Sequence, residues 1–94
     1  MQFETFQQSI HDTAPPPQLS VYLQSMWYDA HGDWDKAHQL VDHLDDTTAS
    51  WVHAYLHRKE GDAGNAGYWY RRANKKMPAI ALQEEWETIV KTLL

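Results

Sequence analysis

Two histidines, His53 and His57, have a spacing in this sequence that could support metal chemistry. Residues four apart lie on one face of an α-helix, so both imidazole rings could bind the same ion. His38, Asp42 and His43 precede them in the chain and could complete such a site. No His-Glu-x-x-His motif is present, and histidines at this spacing are commonly solvated or packed in a core. A metal-binding protein, or a metal-dependent enzyme, that uses His53 and His57 is therefore the alternative interpretation.

The acidic residues that could serve as general acids or bases are Asp33, Asp35, Asp62, Glu84 and Glu85, and a structural role is the favoured interpretation. Asp33 and Asp62 each follow a glycine and precede a helical pattern, where a capping aspartate contributes about 1 kcal/mol. Asp45 and Asp46 also precede a helical pattern, where negative charge is favourable. The sequence has no cysteine, no glycine-rich phosphate loop and no Gly-x-Ser-x-Gly motif. The prediction is a protein that is not an enzyme, with no catalytic residue and no cofactor.

The composition is typical of a single small domain. The chain has 94 residues, of which 43% are hydrophobic, and five Trp and five Tyr supply large side chains for a core. Residues 1–57 contain eight acidic residues and one lysine, whereas residues 58–76 contain six basic residues and two acidic ones. The net charge of −5 argues against nucleic-acid binding, which needs a broad basic surface. Because no signal segment or apolar run of membrane length is present, we expect a cytoplasmic protein without membrane contact.

The spacing of apolar residues predicts six helices and no strand, which is an all-α fold. The predicted helices are 2–11, 18–31, a third after Asp33, a fourth after Thr48, a fifth after Asp62, and 79–93. The third, fourth and fifth extend to Leu44, Lys59 and Ala73 respectively. Prolines and glycines in the intervening segments are expected to end the helices that precede them.

A short motif occurs twice in the chain, 29 residues apart. Gly32–Ala37 reads Gly-Asp-Trp-Asp-Lys-Ala, and Gly61–Ala66 reads Gly-Asp-Ala-Gly-Asn-Ala. The glycine, the first aspartate and the alanine persist, and a turn between two close-packed helices requires these residue types. The match extends to the preceding helices, where Ser25 aligns with Ala54 and large apolar residues align with one another. The pattern therefore predicts a helix–turn–helix unit that is used twice in a single domain.

These units resemble the tetratricopeptide repeat superfamily, including its Sel-like branch. The positions that match the family spacing are Ser25, Tyr28, Gly32, Trp34, Ala37 and Val41 in the first unit, and Ala54, Gly61, Ala66, Tyr70, Ala73 and Pro78 in the second. His57 and Ala63 depart from the family, because aromatic residues are usual at these two positions. The resemblance implies two degenerate repeat units, 18–46 and 47–78, in a right-handed stack of α-hairpins. The helices at 2–11 and 79–93 would cap this stack.

The resemblance also implies a function, since such repeats mostly bind proteins. In the family, the first helix of each unit lines a concave groove. The matching positions give a peptide-binding groove lined by Tyr22, Met26, Asp29, Trp51, Tyr55, Arg58 and Lys59. The expected function is a small interaction module whose partner is a protein, a peptide or a second copy of the chain. The alternative is that the N-terminal helix fills this groove and that its aromatic residues belong to the core.

Overall fold

The computed structural model describes all 94 residues and contains six helices and no strand, so the predicted all-α class is confirmed. The helices are α1 (Phe3–Ser9), α2 (Val21–His31), α3 (Trp34–Val41), α4 (Thr47–Glu60), α5 (Ala63–Arg72) and α6 (Leu82–Leu93). None of the six is long and apolar enough to cross a membrane.

Two tight turns join α2 to α3 and α4 to α5, and both use the residues that the repeated motif predicts. Gly32 and Gly61 adopt the left-handed conformation, with φ angles of 99° and 90°. This conformation is strained for residues with a Cβ atom, which explains why each of these helices ends at a glycine. The carboxylates of Asp33 and Asp62 each accept a hydrogen bond from the backbone N–H three residues later. Their predicted role as helix caps is confirmed.

Several helix boundaries differ from the sequence prediction. Ser20 caps α2, so that helix begins at Val21 rather than at residue 18. Asp46 caps α4, which therefore includes the threonines that were expected in the preceding turn. The last helix begins three residues later than predicted, because its N-cap Ala81 is extended and the Ile80 carbonyl accepts a hydrogen bond from Arg58. A contact with a distant helix therefore sets this boundary.

The core lies between α2 and α4, and α1 and α6 cover it from the outside. Its largest cluster contains Phe6, Leu23, Met26, Trp27, Val52, Tyr55, Leu56, Trp86, Ile89 and Val90, with three further small or branched residues. The Trp86 indole N–H also donates to the Met26 carbonyl over 3.2 Å, which fixes α6 against α2. Small residues lie at the contacts within two helix pairs. The Ser25 hydroxyl of α2 donates to the Ala37 carbonyl of α3, and Ala54 of α4 packs near Ala66 of α5.

A buried carboxylate links α6 to α4 and α5. Glu85 accepts a hydrogen bond from the Tyr70 hydroxyl at 2.6 Å, and it pairs with the Arg58 guanidinium at 2.8 Å. Burial raises the pKa of the Tyr70 phenol, and the Glu85 carboxylate raises it further. Charge-assisted hydrogen bonds of this kind are stronger than neutral ones, so Glu85 is a main attachment point of the last helix.

We predict opposite effects on stability for alanine at two glycines. Gly32→Ala should destabilise the protein by about 1 kcal/mol, because a Cβ atom is strained at its φ of 99° although no atom lies within 4 Å of it. Gly64→Ala should stabilise by about 0.5 kcal/mol, because Gly64 lies in α5, where only Asp62 comes within 4 Å of the new Cβ. Urea unfolding measures both values. Equal effects of the two substitutions would contradict the left-handed turn.

Candidate metal centre

Three histidines from two helices meet at the junction of α3 and α4. His53 and His57 lie one turn apart on α4, and α3 packs alongside and supplies His38. The Nε2 atoms of His38 and His53 are 3.0 Å apart, and one nitrogen from each of the three rings lies within 4.8 Å of the others. His53 and His57 are buried, whereas His38 is half-buried. The structure therefore places His38 beside the predicted pair, His53 and His57. His38 is one of the three residues that were expected to complete the site.

Two tryptophans hold these imidazole rings in place. The Trp34 ring stacks on His38 with centroids 4.9 Å apart, and the Trp69 ring stacks on His53 at 4.0 Å. Trp34 is itself fixed, because its indole N–H donates to the Leu56 carbonyl over 2.9 Å. Stacking and hydrogen bonding together restrict the rotation of the rings before any ligand binds. Such restriction lowers the entropy that a ligand must remove from the side chains.

Carboxylates lie behind two of the three rings. Glu60 Oε1 is 2.6 Å from His57 Nδ1, and Asp42 Oδ2 is 3.7 Å from His38 Nδ1. Because an ionised carboxylate only accepts hydrogen bonds, the Glu60 contact places a proton on Nδ1 of His57 and leaves its Nε2 free. Histidines that bind metals commonly have such a carboxylate behind them. His43, in contrast, is largely exposed and contacts Asp42 rather than the other histidines.

His53 is neutral at physiological pH. Burial, followed by the proximity of His38 and His57, lowers its pKa from 6.5 to about 4, and Asp42 opposes these effects. The neutral ring has one unprotonated nitrogen, which is the form that binds a metal ion. Its Nδ1 atom is buried and has no hydrogen-bond partner. The ring is therefore held by packing, and only its Nε2 has a polar neighbour.

The three-histidine cluster fits a transition metal by chemistry and approximately by distance. Zinc–nitrogen bonds of about 2.05 Å in a tetrahedral site place ligand nitrogens about 3.3 Å apart. The His38–His53 separation of 3.0 Å is close to this value, whereas the 4.8 Å limit for the whole cluster requires the rings to move inward on binding. None of the five surface depressions is lined by these histidines, so the cluster has no adjoining substrate cavity.

The seven residues of the predicted groove do not form an open surface together. Met26 and Tyr55 are buried in the core, where Phe6 of α1 and Trp86 of α6 belong to the same cluster. Met26 and Tyr55 therefore pack with residues of α1 and α6, and the peptide-binding groove stays a prediction.

The polar members of the predicted groove have partners within the chain. The Tyr22 hydroxyl donates to Asp46 at 2.9 Å, Lys59 pairs with buried Asp29 at 3.0 Å, and Arg58 pairs with Glu85. Trp51 remains half-buried, with the Lys75 ammonium 4.0 Å from its ring centre. Sequence reasoning missed the contribution of Glu85, because nothing in the spacing of α6 indicates that it contacts α4.

No protein-family model, curated protein or solved structure matches this chain. The resemblance of residues 18–78 to tetratricopeptide repeats therefore stays a prediction, and the function has to be inferred from the geometry.

We predict that the metal-free protein loses stability between pH 6.5 and pH 4 because of His53. In this window the unfolded chain binds a proton at residue 53 and the folded chain does not, so the free energy of unfolding falls as the pH falls. His53→Gln should flatten this dependence, whereas His43→Gln should retain it, because His43 is largely exposed. Urea unfolding across this window measures the slope. An unchanged slope in the His53 variant would contradict the effect.

Proposed function

We propose that this protein binds one divalent transition-metal ion through His38, His53 and His57. The observation that carries the proposal is the convergence of three imidazoles from two helices to within 4.8 Å, at a site with carboxylates behind it. The cluster has two buried rings and a shifted pKa, which are features that concentrate at functional sites. This role corresponds to the alternative interpretation of the His53–His57 spacing, with His38 as the third ligand.

Imidazole ligands favour particular ions. Neutral histidines suit zinc, copper and nickel, whereas calcium and magnesium prefer oxygen ligands. No cysteine is available to add a thiolate, and a water molecule could occupy a fourth position. Because no cavity adjoins the cluster, we propose binding rather than catalysis.

The ion would join the two halves of the fold. We propose that residues 18–46 and 47–78 are two hairpin units of tetratricopeptide type in a right-handed stack, in agreement with their matching turns and caps. His38 lies in the first unit, whereas His53 and His57 lie in the second. A metal ion bound to all three would cross-link α3 to α4. Such a link stabilises the folded chain, because the unfolded chain has no preformed site.

We predict that ZnCl2 binds the protein, purified without a histidine tag, at one ion per chain in isothermal titration calorimetry. His53→Ala should abolish this binding, because it removes the central ligand. Glu60→Gln should weaken it by about 10- to 100-fold, because it removes the carboxylate that orients His57. At a free zinc concentration of about 100 times the dissociation constant, the ion should stabilise the fold by about 2.7 kcal/mol.

His43→Ala is the matched control for this experiment. It removes an imidazole from the same region, yet its ring is largely exposed and does not reach the three-histidine cluster. Binding of zinc with unchanged affinity to the His53 variant would overturn the proposal, as would equal losses in the His43 and His53 variants.

A second candidate function is the predicted interaction with a protein or peptide. The observation that favours it is a pair of neighbouring depressions that share Trp51 and Lys75, between α4, α6 and the segment that precedes α6. Lys76 also lines the first of them. A half-buried tryptophan beside basic residues suits an acidic segment, and the first 57 residues of a second copy are acidic.

We predict that the chain self-associates at low salt through this surface. Sedimentation should detect dimers at low ionic strength and monomers at about 0.5 M salt, because the attraction between exposed charges is screened. Lys75→Glu should prevent dimer formation, whereas Lys36→Glu, an exposed lysine on α3, should have a smaller effect. A strictly monomeric protein at high concentration and low salt would contradict self-association.

A further inference from the structure

The surface that carries Trp51 and Lys75 has a basic end. Two neighbouring depressions share these two residues. Lys76 lines only the first depression, whereas Thr47 and Thr48 line only the second. Trp51 therefore lies between the two depressions, with Lys76 on one side of it and the start of α4 on the other.

The opposite end of this surface is acidic. Asp45 is exposed, and it precedes Thr47 by two residues in the turn from α3 to α4. The Tyr68 hydroxyl raises the pKa of the Arg72 guanidinium, and the charge of Asp45 raises it further. Arg72 directly precedes Ala73, which lines the second depression. The chain path and this attraction both place Asp45 at the edge of that depression.

The charges at the two ends have no ion-pair partner within the chain. Lys75, Lys76 and Asp45 are all exposed, and the six ion pairs of the chain use other residues. Asp46, in contrast, already caps α4 and accepts a hydrogen bond from Tyr22. The unpaired charges are therefore available to a second molecule with the complementary arrangement.

A surface with opposite charges at its two ends is complementary to a copy of itself that is rotated by 180°. We propose that two copies of the chain form a closed dimer with two-fold symmetry, in which Lys75 of each copy pairs with Asp45 of the partner subunit. Trp51 would lie near the symmetry axis. This inference rests on the proposed self-association and specifies its geometry.

The position of both charges on one surface decides between two modes of association. Copies that join through two different faces form a head-to-tail contact, which continues to grow unless it closes into a ring. When one face carries both charges, a single partner uses both, and assembly stops at two chains. Trp51 is a large aromatic side chain at the centre of this face, where it would exclude water from the charge pairs on either side.

The test is sedimentation equilibrium of the full chain at low salt, with charge reversals that compensate one another. Lys75→Glu and Asp45→Lys should each raise the dissociation constant of the dimer by about 10-fold or more, because two-fold symmetry makes each substitution act at two pairs. An equal mixture of the two variants should form dimers again, because every pair then joins opposite charges. A chain that carries both substitutions should also form dimers, for the same reason.

Two exposed residues of α3 provide the matched controls. Lys36→Glu and Asp35→Lys change the net charge of the chain by the same amounts, yet neither residue lines the two depressions. Each should change the dissociation constant less than the corresponding substitution at Lys75 or Asp45. Circular dichroism checks that every variant folds before its association is measured.

The outcomes separate this geometry from self-association in general. A native chain that stays monomeric at high concentration and low salt would overturn both. If the native chain associates, three results would overturn the two-fold dimer and leave self-association standing. These are a mass that grows beyond two chains with concentration, Asp45→Lys dimers as stable as the native ones, and an equal mixture of the two variants that forms no dimers.

Discussion

The burial of α4 on nearly all sides is the constraint on which the rest of the structure depends. Eight of its fourteen residues are buried, including an unbroken run from Val52 to His57. A helix that is surrounded in this way and still carries polar side chains must provide partners for them inside the protein. Three of the neighbouring helices supply one each. His38 of α3 meets His53, Asp29 of α2 meets Lys59, and Glu85 of α6 meets Arg58.

The local features of the fold were predictable from the sequence, because short-range chemistry determines them. A glycine that ends a helix and an aspartate that caps the next one act within four residues, so Gly32 and Asp33 were readable without the tertiary structure. The start of α6 was not predictable from the sequence. Arg58, which lies 22 residues before Ile80, donates to the Ile80 carbonyl and keeps it outside the helix. The cover over Met26 was equally nonlocal, since Phe6 and Trp86 come from opposite ends of the chain.

The candidate sites show the same difference between local features, which the sequence predicts, and nonlocal contacts, which it does not. The spacing of His53 and His57 was visible, and so was the presence of His38 on the preceding helix, but the sequence could not select it over His43. The packing of α3 on α4 makes that choice, because it turns His38 inward and leaves His43 largely exposed. Lys59 and Asp29 were assigned to a groove surface, yet they pair with each other. Residue types alone do not distinguish a charged side chain that contacts a binding partner from one that forms an ion pair within the chain.

Stability alone gives a weak account of the charged and polar side chains around α4. Replacing a buried ion pair with well-packed apolar residues is often neutral or stabilising. In the Asp29–Lys59 pair only the carboxylate is buried, so the pair adds little to an already apolar core. The same holds for His53, because burial shifts its pKa against protonation and leaves Nδ1 without a partner. Residues 53 and 57 point about 200° away from residues 55 and 59 on a helix of 3.6 residues per turn. The three-histidine cluster and the Asp29–Lys59 pair therefore occupy opposite sides of one buried helix.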